Sequence, residues 1–252
     1  LVAQFIDRGD ELGDEVLGIL QNAGAETLDS RAFFAGSGYG NDELELKTDK
    51  HWTSLAALLA SRLYAEKISE LTGVELDSAR LDVSQFRTVS ASLPYDGSYG
   101  RKIGRNATLD DVAIWLPAYE TDIERHTLNH LGVYETASGD FSESVLRPDT
   151  LTNEENGVNT EAHMAFGLTL GYEELVNHGD CADMTILVIR DSYTCPICSY
   201  LSLVARRVIS VDFRYDGRNA RDLIEQCQPD IVIVSLSRLM LETVDISDRF
   251  TF

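Results

Sequence analysis

Two short stretches of this chain carry residue types that do nucleophilic chemistry. The first is Arg190-Asp191-Ser192-Tyr193. Before it, Met184 to Ile189 is an apolar run with no helical period, which reads as a buried strand; after it, Pro196 to Arg207 reads as a helix. A serine in such a strand-to-helix turn stands above the sheet edge, and the helix behind it aims unpaired N–H groups at the same spot. Donors of this kind stabilise an oxyanion by roughly 3–4 kcal/mol each. Serine is also a common helix cap, and its position alone does not separate the two roles. The second stretch is Asp49-Lys50-His51. If it is extended, residues i and i+2 face the same way, so the carboxylate can orient the imidazole and stabilise its charged form. A serine hydroxyl needs such a base to become a good nucleophile. Asp-x-His is short and frequent, and a surface turn before a helix is the plain alternative.

The elements that would hold Ser192 are legible around it. After its helix, Val208 to Arg214 alternates, with Ile209, Val211 and Phe213 on one side; Asn219 to Cys227 reads as a helix and Asp230 to Ser235 as another buried strand. This β-α-β-α-β series predicts a parallel sheet covered by helices, whose ligands bind beyond the carboxyl ends of the strands, where Ser192 falls. Ahead of it, Glu11 to Ala23 reads as a helix, Thr27 and Leu28 as strand-like, and the glycine-rich Ala35 to Gly40 as a plain turn. Leu44 to Lys47 reads as extended and leads into the Asp-x-His stretch. A strong helix then starts at Ser54, capped by Thr53 or Ser54, with Leu55, Leu59 and Leu63 at four-residue spacing and Gly73 at its end. Between Leu81 and Asp180 only Val112 to Leu116 stands out as a strand, and the rest reads as loops and short strands decorating the sheet.

Composition limits the classes of function. The 252 residues carry 42 acidic against 21 basic side chains, a net charge of −21, and a surface of that sign repels phosphate backbones. Nucleic acid is therefore not an expected partner. With 44% hydrophobic and 25% charged residues the chain has the balance of a globular domain, and no apolar run is long enough to span a bilayer. The first residue is Leu1, which is read as the start of a processed or trimmed chain, with any signal or anchor upstream of it.

Read together, the two stretches are more specific than either alone. Lys47-Thr48-Asp49-Lys50-His51-Trp52-Thr53, followed by a helix with small residues, resembles the DHHW protein family, which is related to the alginate O-acetyltransferase proteins and to the wider SGNH hydrolase-like group. Ile189-Arg190-Asp191-Ser192-Tyr193, then a helix, then Val211-Asp212-Phe213-Arg214-Tyr215 is a second block, and Tyr95-Asp96-Gly97-Ser98-Tyr99-Gly100-Arg101 a third, weaker one. Lys50 stands where the family motif has a second histidine, and Tyr193 where phenylalanine is frequent. The resemblance implies an Asp-His-Ser triad of Asp49, His51 and Ser192. The fold expected is α/β, a single SGNH hydrolase-like domain over residues 1–252 with a mostly parallel sheet, helices on both faces and an irregular insertion over about 101–180. The reaction expected is acyl transfer on extracellular or cell-surface carbohydrate, as an O-acetyltransferase or acetylesterase. Besides the Ser192 amide, Gly97 and Ser98 are candidate oxyanion donors, and Tyr193 and Arg214 candidate substrate contacts. The expected partners are a carbohydrate acceptor, an acyl donor and a membrane-bound acetyl-transfer partner. The expected location is outside the cytoplasm, and no cofactor or metal is called for.

Other readings compete. Cys195-Pro196-Ile197-Cys198 opens a helix after a strand, as a thioredoxin-like redox motif does, with Pro229 the sole proline that follows. Four cysteines, with Cys181 and Cys227, permit disulfides without requiring them. His126 and His130 have the i, i+4 spacing of helical metal ligands but lack a third partner. A non-catalytic glycan-binding or scaffold protein on the same fold is the remaining alternative, since a fold does not dictate an activity.

Overall fold

A computed structural model of the chain describes residues 9–104, 108–166, 171–237, 245 and 247–250. Leu1 and the parts 105–107 and 167–170 of the expected central insertion lie outside these described residues. The first elements are helical: α1 (Gly9–Asn22), α2 (Arg31–Gly36), α3 (Asn41–Leu44) and α4 (Ser54–Thr72). Thr27 and Leu28 lie in coil and not in a strand. The α4 boundaries follow from its caps. Thr53 Oγ1 accepts the Ala56 N–H at 3.2 Å, and Gly73 takes a left-handed φ of 73° that a side chain would strain.

Strands β1 (Phe86–Ser90) and β2 (Ala113–Pro117) form a separate antiparallel pair, with α5 (Ser98–Ile103) between them in sequence. The main sheet comes from β3 (Ile123–Asn129), β4 (Tyr134–Gly139), β5 (Gly171–Asn177), β6 (Ala182–Arg190), β7 (Ala205–Val211) and β8 (Ile231–Ser235). Helices α6 (Phe141–Ser144) and α7 (Pro148–Thr152) lie between β4 and β5, α8 (Cys195–Leu201) joins β6 to β7, and α9 (Ala220–Cys227) joins β7 to β8. The strand order is β4-β3-β5-β7-β6-β8.

Only the β7-β6-β8 part of the sheet is parallel; β4-β3, β3-β5 and β5-β7 pair antiparallel. The expected mostly parallel sheet is thus corrected to a mixed one. Parallel neighbours need a long crossover, and α8 and α9 supply two of these, whereas β3 and β4 are joined by a short turn that permits only antiparallel pairing. The central stretch also does more than decorate, since it contributes β3, β4 and β5 to the six-stranded sheet. Helix α8 stops at Leu201, short of the expected Arg207, because Ala205–Val211 is recruited as β7 between β5 and β6.

The two faces of β6 bury alternate residues. Met184, Ile186 and Val188 join the larger core, with α4 (Ala57, Leu58, Ile68) and α8 (Ile197, Tyr200, Leu201) above them. Leu187 and Ile189 pack on the opposite face with Ile209, Val211 and Leu223 of α9. Helices therefore cover both faces. Each fully buried Leu or Ile of this kind contributes roughly 1.5–3 kcal/mol. Because β7 and β8 flank β6 on opposite sides, the loops leaving β6 and β7 diverge, which opens a crevice at the carboxyl end of β6.

Candidate active site

The Asp49-Lys50-His51 stretch is a bend and not the expected extended strand. Glu45 bridges Trp52 antiparallel, and the Thr53 N–H donates to the Leu44 carbonyl at 2.9 Å, so the chain between them folds back. Asp49 and His51 face one another through a local turn. Asp49 Oδ1 accepts the His51 backbone N–H at 3.1 Å and lies 2.6 Å from His51 Nδ1. This bend is held from outside by buried Asp110, whose carboxylate accepts the N–H groups of Lys47 and Thr48 and the Thr48 hydroxyl at 2.9, 2.8 and 2.5 Å. Gly97 seals the other side. A Cβ there would meet the Thr48 carbonyl oxygen at 2.3 Å, so only glycine permits the approach.

Ser192 sits in the turn that ends β6, ahead of α8. Buried Asp191 fixes this turn by accepting the Tyr193 N–H at 3.0 Å and the Ser237 N–H at 2.6 Å. The Thr194 and Ser235 hydroxyls, 2.8 Å apart, tie it to the end of β8. The bend and the turn then meet: Trp52 Nε1 donates to the Tyr193 carbonyl at 2.9 Å, and His51 Nε2 lies 2.9 Å from Ser192 Oγ, across 141 positions of sequence. Asp49, His51 and Ser192 are thereby in one hydrogen-bonded line. The Tyr193 ring packs on the His51 imidazole with centroids 5.0 Å apart.

Gly97 and Ser98 do not serve as expected. The Gly97 N–H donates to Thr48 Oγ1 at 2.9 Å and the Ser98 N–H to Asp49 Oδ2 at 2.7 Å, so both amides are occupied with holding the Thr48–Asp49 bend. The Tyr95 hydroxyl, wholly buried, adds a second bond to Asp49 Oδ2 at 3.0 Å. Burial alone would push the Asp49 carboxyl up. The hydrogen bonds from the His51 ring, the Ser98 N–H and the His51 N–H outweigh it and hold the group well below the ordinary carboxylate range.

Two further residues reach the site without having been given a role in the sequence analysis. Tyr95 Oη lies 2.6 Å from His163 Nδ1, and the His163 ring stacks on His51 with centroids 5.1 Å apart and planes 25° from parallel. Burial pushes His163 down to about 4, against the opposing pull of Asp49, so it is neutral near pH 7. Its turn, Ala162–Met164, is anchored by buried Asn159, whose Oδ1 accepts the Glu161 and Ala162 N–H groups. Tyr95 belongs to the third motif block, but nothing in sequence spacing flags a histidine 68 positions later.

Arg214 is held by an ion pair. Its Nε and Nη2 donate to the two carboxylate oxygens of Asp212 at 2.9 and 2.6 Å, and its guanidinium joins neither Ser192 nor His51. The Cys-x-x-Cys pair lacks the environment of a redox centre. Cys195 and Cys198 are buried free thiols, and burial pushes Cys195 up to about 12 and Cys198 also upward, the reverse of an activated thiolate. His126 is on strand β3 beside Tyr134, and His130 packs on Tyr215, so the helical spacing assumed for them does not exist.

No protein-family model matches the chain, and no curated protein matches it in sequence. Solved structures do share its fold. A DHHW family protein from Eubacterium siraeum superposes with a TM-score of 0.70 at 14% identity, over 99% of this chain and 80% of that one. PatB1 of Bacillus cereus, in a structure with a sulfonyl adduct, superposes with a TM-score of 0.76 at 15% identity, over 100% and 79%. The O-acetyltransferase domain of Pseudomonas putida AlgJ lies further off, with a TM-score of 0.49 at 14% identity over 96% and 70%. The chain thus has the mixed α/β fold of a DHHW family protein, matching the resemblance read from its Asp-x-His-Trp-Thr and Asp-Ser-Tyr blocks.

Proposed function

We propose that the chain catalyses serine-dependent acyl transfer on carbohydrate, as an O-acetyltransferase or acetylesterase. One observation carries this reading: a bonded line from Asp49 Oδ1 through His51 to Ser192 Oγ, with steps of 2.6 and 2.9 Å, assembled from distant parts of the chain. A helix-capping serine would need no imidazole there. His51 Nε2 takes the Ser192 hydroxyl proton as Oγ attacks the acyl carbonyl carbon. Asp49 keeps the ring in the Nδ1–H tautomer and stabilises its cation. The oxyanion faces the Ser192 amide. His51 returns the proton to the departing alcohol, leaving an acyl ester on Ser192. An acceptor hydroxyl then gives its proton to His51 Nε2 and takes the acyl group, and Ser192 recovers its hydrogen. Water as acceptor gives an esterase and a sugar hydroxyl gives a transferase.

The acyl donor in this reading is supplied by a membrane-bound partner, and the sugar belongs to a polysaccharide outside the cytoplasm. The test is acetate release from an aryl acetate ester by the purified protein, abolished in Ser192→Ala. An oligosaccharide that gains acetyl mass while accelerating release identifies transfer. A wild-type protein that turns over no ester but binds polysaccharide in calorimetry would replace this reading with the binding-module alternative.

A further inference from the structure

We propose that Tyr95 and His163 are positioning residues that fix the orientation and charge of the Asp49–His51 pair, with His163 held as the Nδ1–H tautomer. The hydrogen bonds allow one assignment. Asp49 is a carboxylate and can only accept. Tyr95 has a single hydroxyl hydrogen, which it places on Asp49 Oδ2 at 3.0 Å. His163 Nδ1, 2.6 Å from the same phenol oxygen, must therefore donate. The proton order runs from His163 Nδ1–H to Tyr95 Oη, from Tyr95 O–H to Asp49 Oδ2, and from His51 Nδ1–H to Asp49 Oδ1. His51 Nε2 is left bare to accept from Ser192.

The two residues act on different degrees of freedom. The Tyr95 hydroxyl and the Ser98 N–H clamp Oδ2, so Oδ1 stays aimed at the imidazole. The His163 ring lies against one part of His51, and the Tyr193 ring packs against it at 5.0 Å, which limits rotation of the imidazole. His163 is itself held, because its turn hangs on Asn159 and its Nδ1 on Tyr95. Lys50, Arg101 and Asp110 are the other charged groups acting on this cluster. Nothing in the acyl-transfer steps needs Tyr95 or His163, so their role adds to that reading. The kinetic half of the test rests on it, and the spectroscopic half does not.

The test combines nitrogen-15 imidazole spectra with pH profiles of aryl acetate hydrolysis. In the wild-type protein near neutral pH, His163 should show a protonated Nδ1 and a bare Nε2. Tyr95→Phe removes one bond to Oδ2 and keeps the ring. The carboxylate then concentrates its charge on the imidazole, protonated His51 is favoured, and the acid limb of kcat/KM moves up by roughly half a pH unit. Its kcat falls about ten-fold, with KM little changed. His163→Leu should move the limb the same way by less. His163→Asn, whose amide can still donate at the Nδ1 position, should restore it. A His163 ring protonated at Nε2 instead, or a Tyr95→Phe enzyme with an unmoved profile, overturns the proposal. If no ester is turned over at all, the acyl-transfer reading fails on its own. The tautomer of His163, and a shift of the His51 Nδ1 proton signal in Tyr95→Phe, still decide the positioning roles.

Discussion

Asp49 and Asp212 each close a turn by accepting the backbone N–H two residues on, from His51 and from Arg214, both at 3.1 Å. Each also holds the side chain of that same residue. From there they diverge. The guanidinium of Arg214 closes onto both oxygens of Asp212, and the fork is used up where it stands. The imidazole of His51 binds Asp49 through one nitrogen and carries the other to Ser192. Guanidinium stays charged at any ordinary pH and cannot accept a proton, whereas imidazole exchanges one near neutrality. In the proposed mechanism the same local device thus makes a strut in one place and a base in the other. Asp212 also faces the buried Arg190, 3.8 Å away, which gives the strut a second charge to neutralise.

The contrast predicts a ranking of damage. Ser192→Ala and His51→Ala should each lower kcat on the order of 10⁶-fold, since the nucleophile or its base is gone. Asp49→Ala should cost on the order of 10⁴-fold, because the base remains without its orienting charge. Arg214→Ala should leave turnover within about three-fold, while lowering unfolding stability by roughly 1–2 kcal/mol in denaturant titration. An Arg214 variant as inactive as the Asp49 variant would break the distinction between strut and base. Lys50→Ala should be nearly silent in the ester assay, and a strong loss there would mean that the middle residue of the bend also works.

The acid side of stability separates His163 from Asp49. His163 sits at about 4, below its ordinary 6.5, so its contribution is complete above pH 6.5 and is lost as pH falls through 4. Asp49 is held below the ordinary carboxylate value of 3.8, so its contribution is lost only at lower pH still. Melting temperatures between pH 7 and pH 2 should therefore fall in two stages. His163→Leu should flatten the first and Asp49→Asn the second; a single stage unchanged by either variant would contradict this order.

The part of the site carried by short-range pattern was legible in sequence. A buried strand, a serine and a helix give the Ser192 turn, and a capped helix beginning at Ser54 marks the end of the Asp49–His51 bend. The parallel β7-β6-β8 unit was legible for the same reason, its strands being apolar and its crossovers helical, but β8 is an edge strand with Val232 and Val234 exposed and not the buried strand expected. The antiparallel part was not. In β5 the buried positions include Glu173 and Asn177, which read as surface residues. Glu173 is neutralised by Arg125 at 3.0 Å, and Asn177 donates to the Ser202 carbonyl at 2.7 Å, contacts that no periodicity announces. β4 has no buried position and so no apolar side to detect. The roles of Tyr95 and His163 are not legible because the contacts of Tyr95 with Asp49 and of His163 with Tyr95 and His51 are purely tertiary. Gly97 and Ser98 were seen to be close to the chemistry, but the direction of an N–H is decided by packing against Thr48 and Asp49.

The central claim is that Ser192 is a nucleophile activated by His51, and covalent trapping tests it most directly. An aryl sulfonyl fluoride offers a sulfur that the Ser192 oxygen can attack, with loss of fluoride and transfer of the hydroxyl proton to His51. Intact mass and peptide mapping should find one sulfonyl group per chain, on Ser192, with labelling abolished in Ser192→Ala and slowed by orders of magnitude in His51→Ala. Labelling that spares Ser192, or that proceeds equally fast without His51, would contradict the assignment.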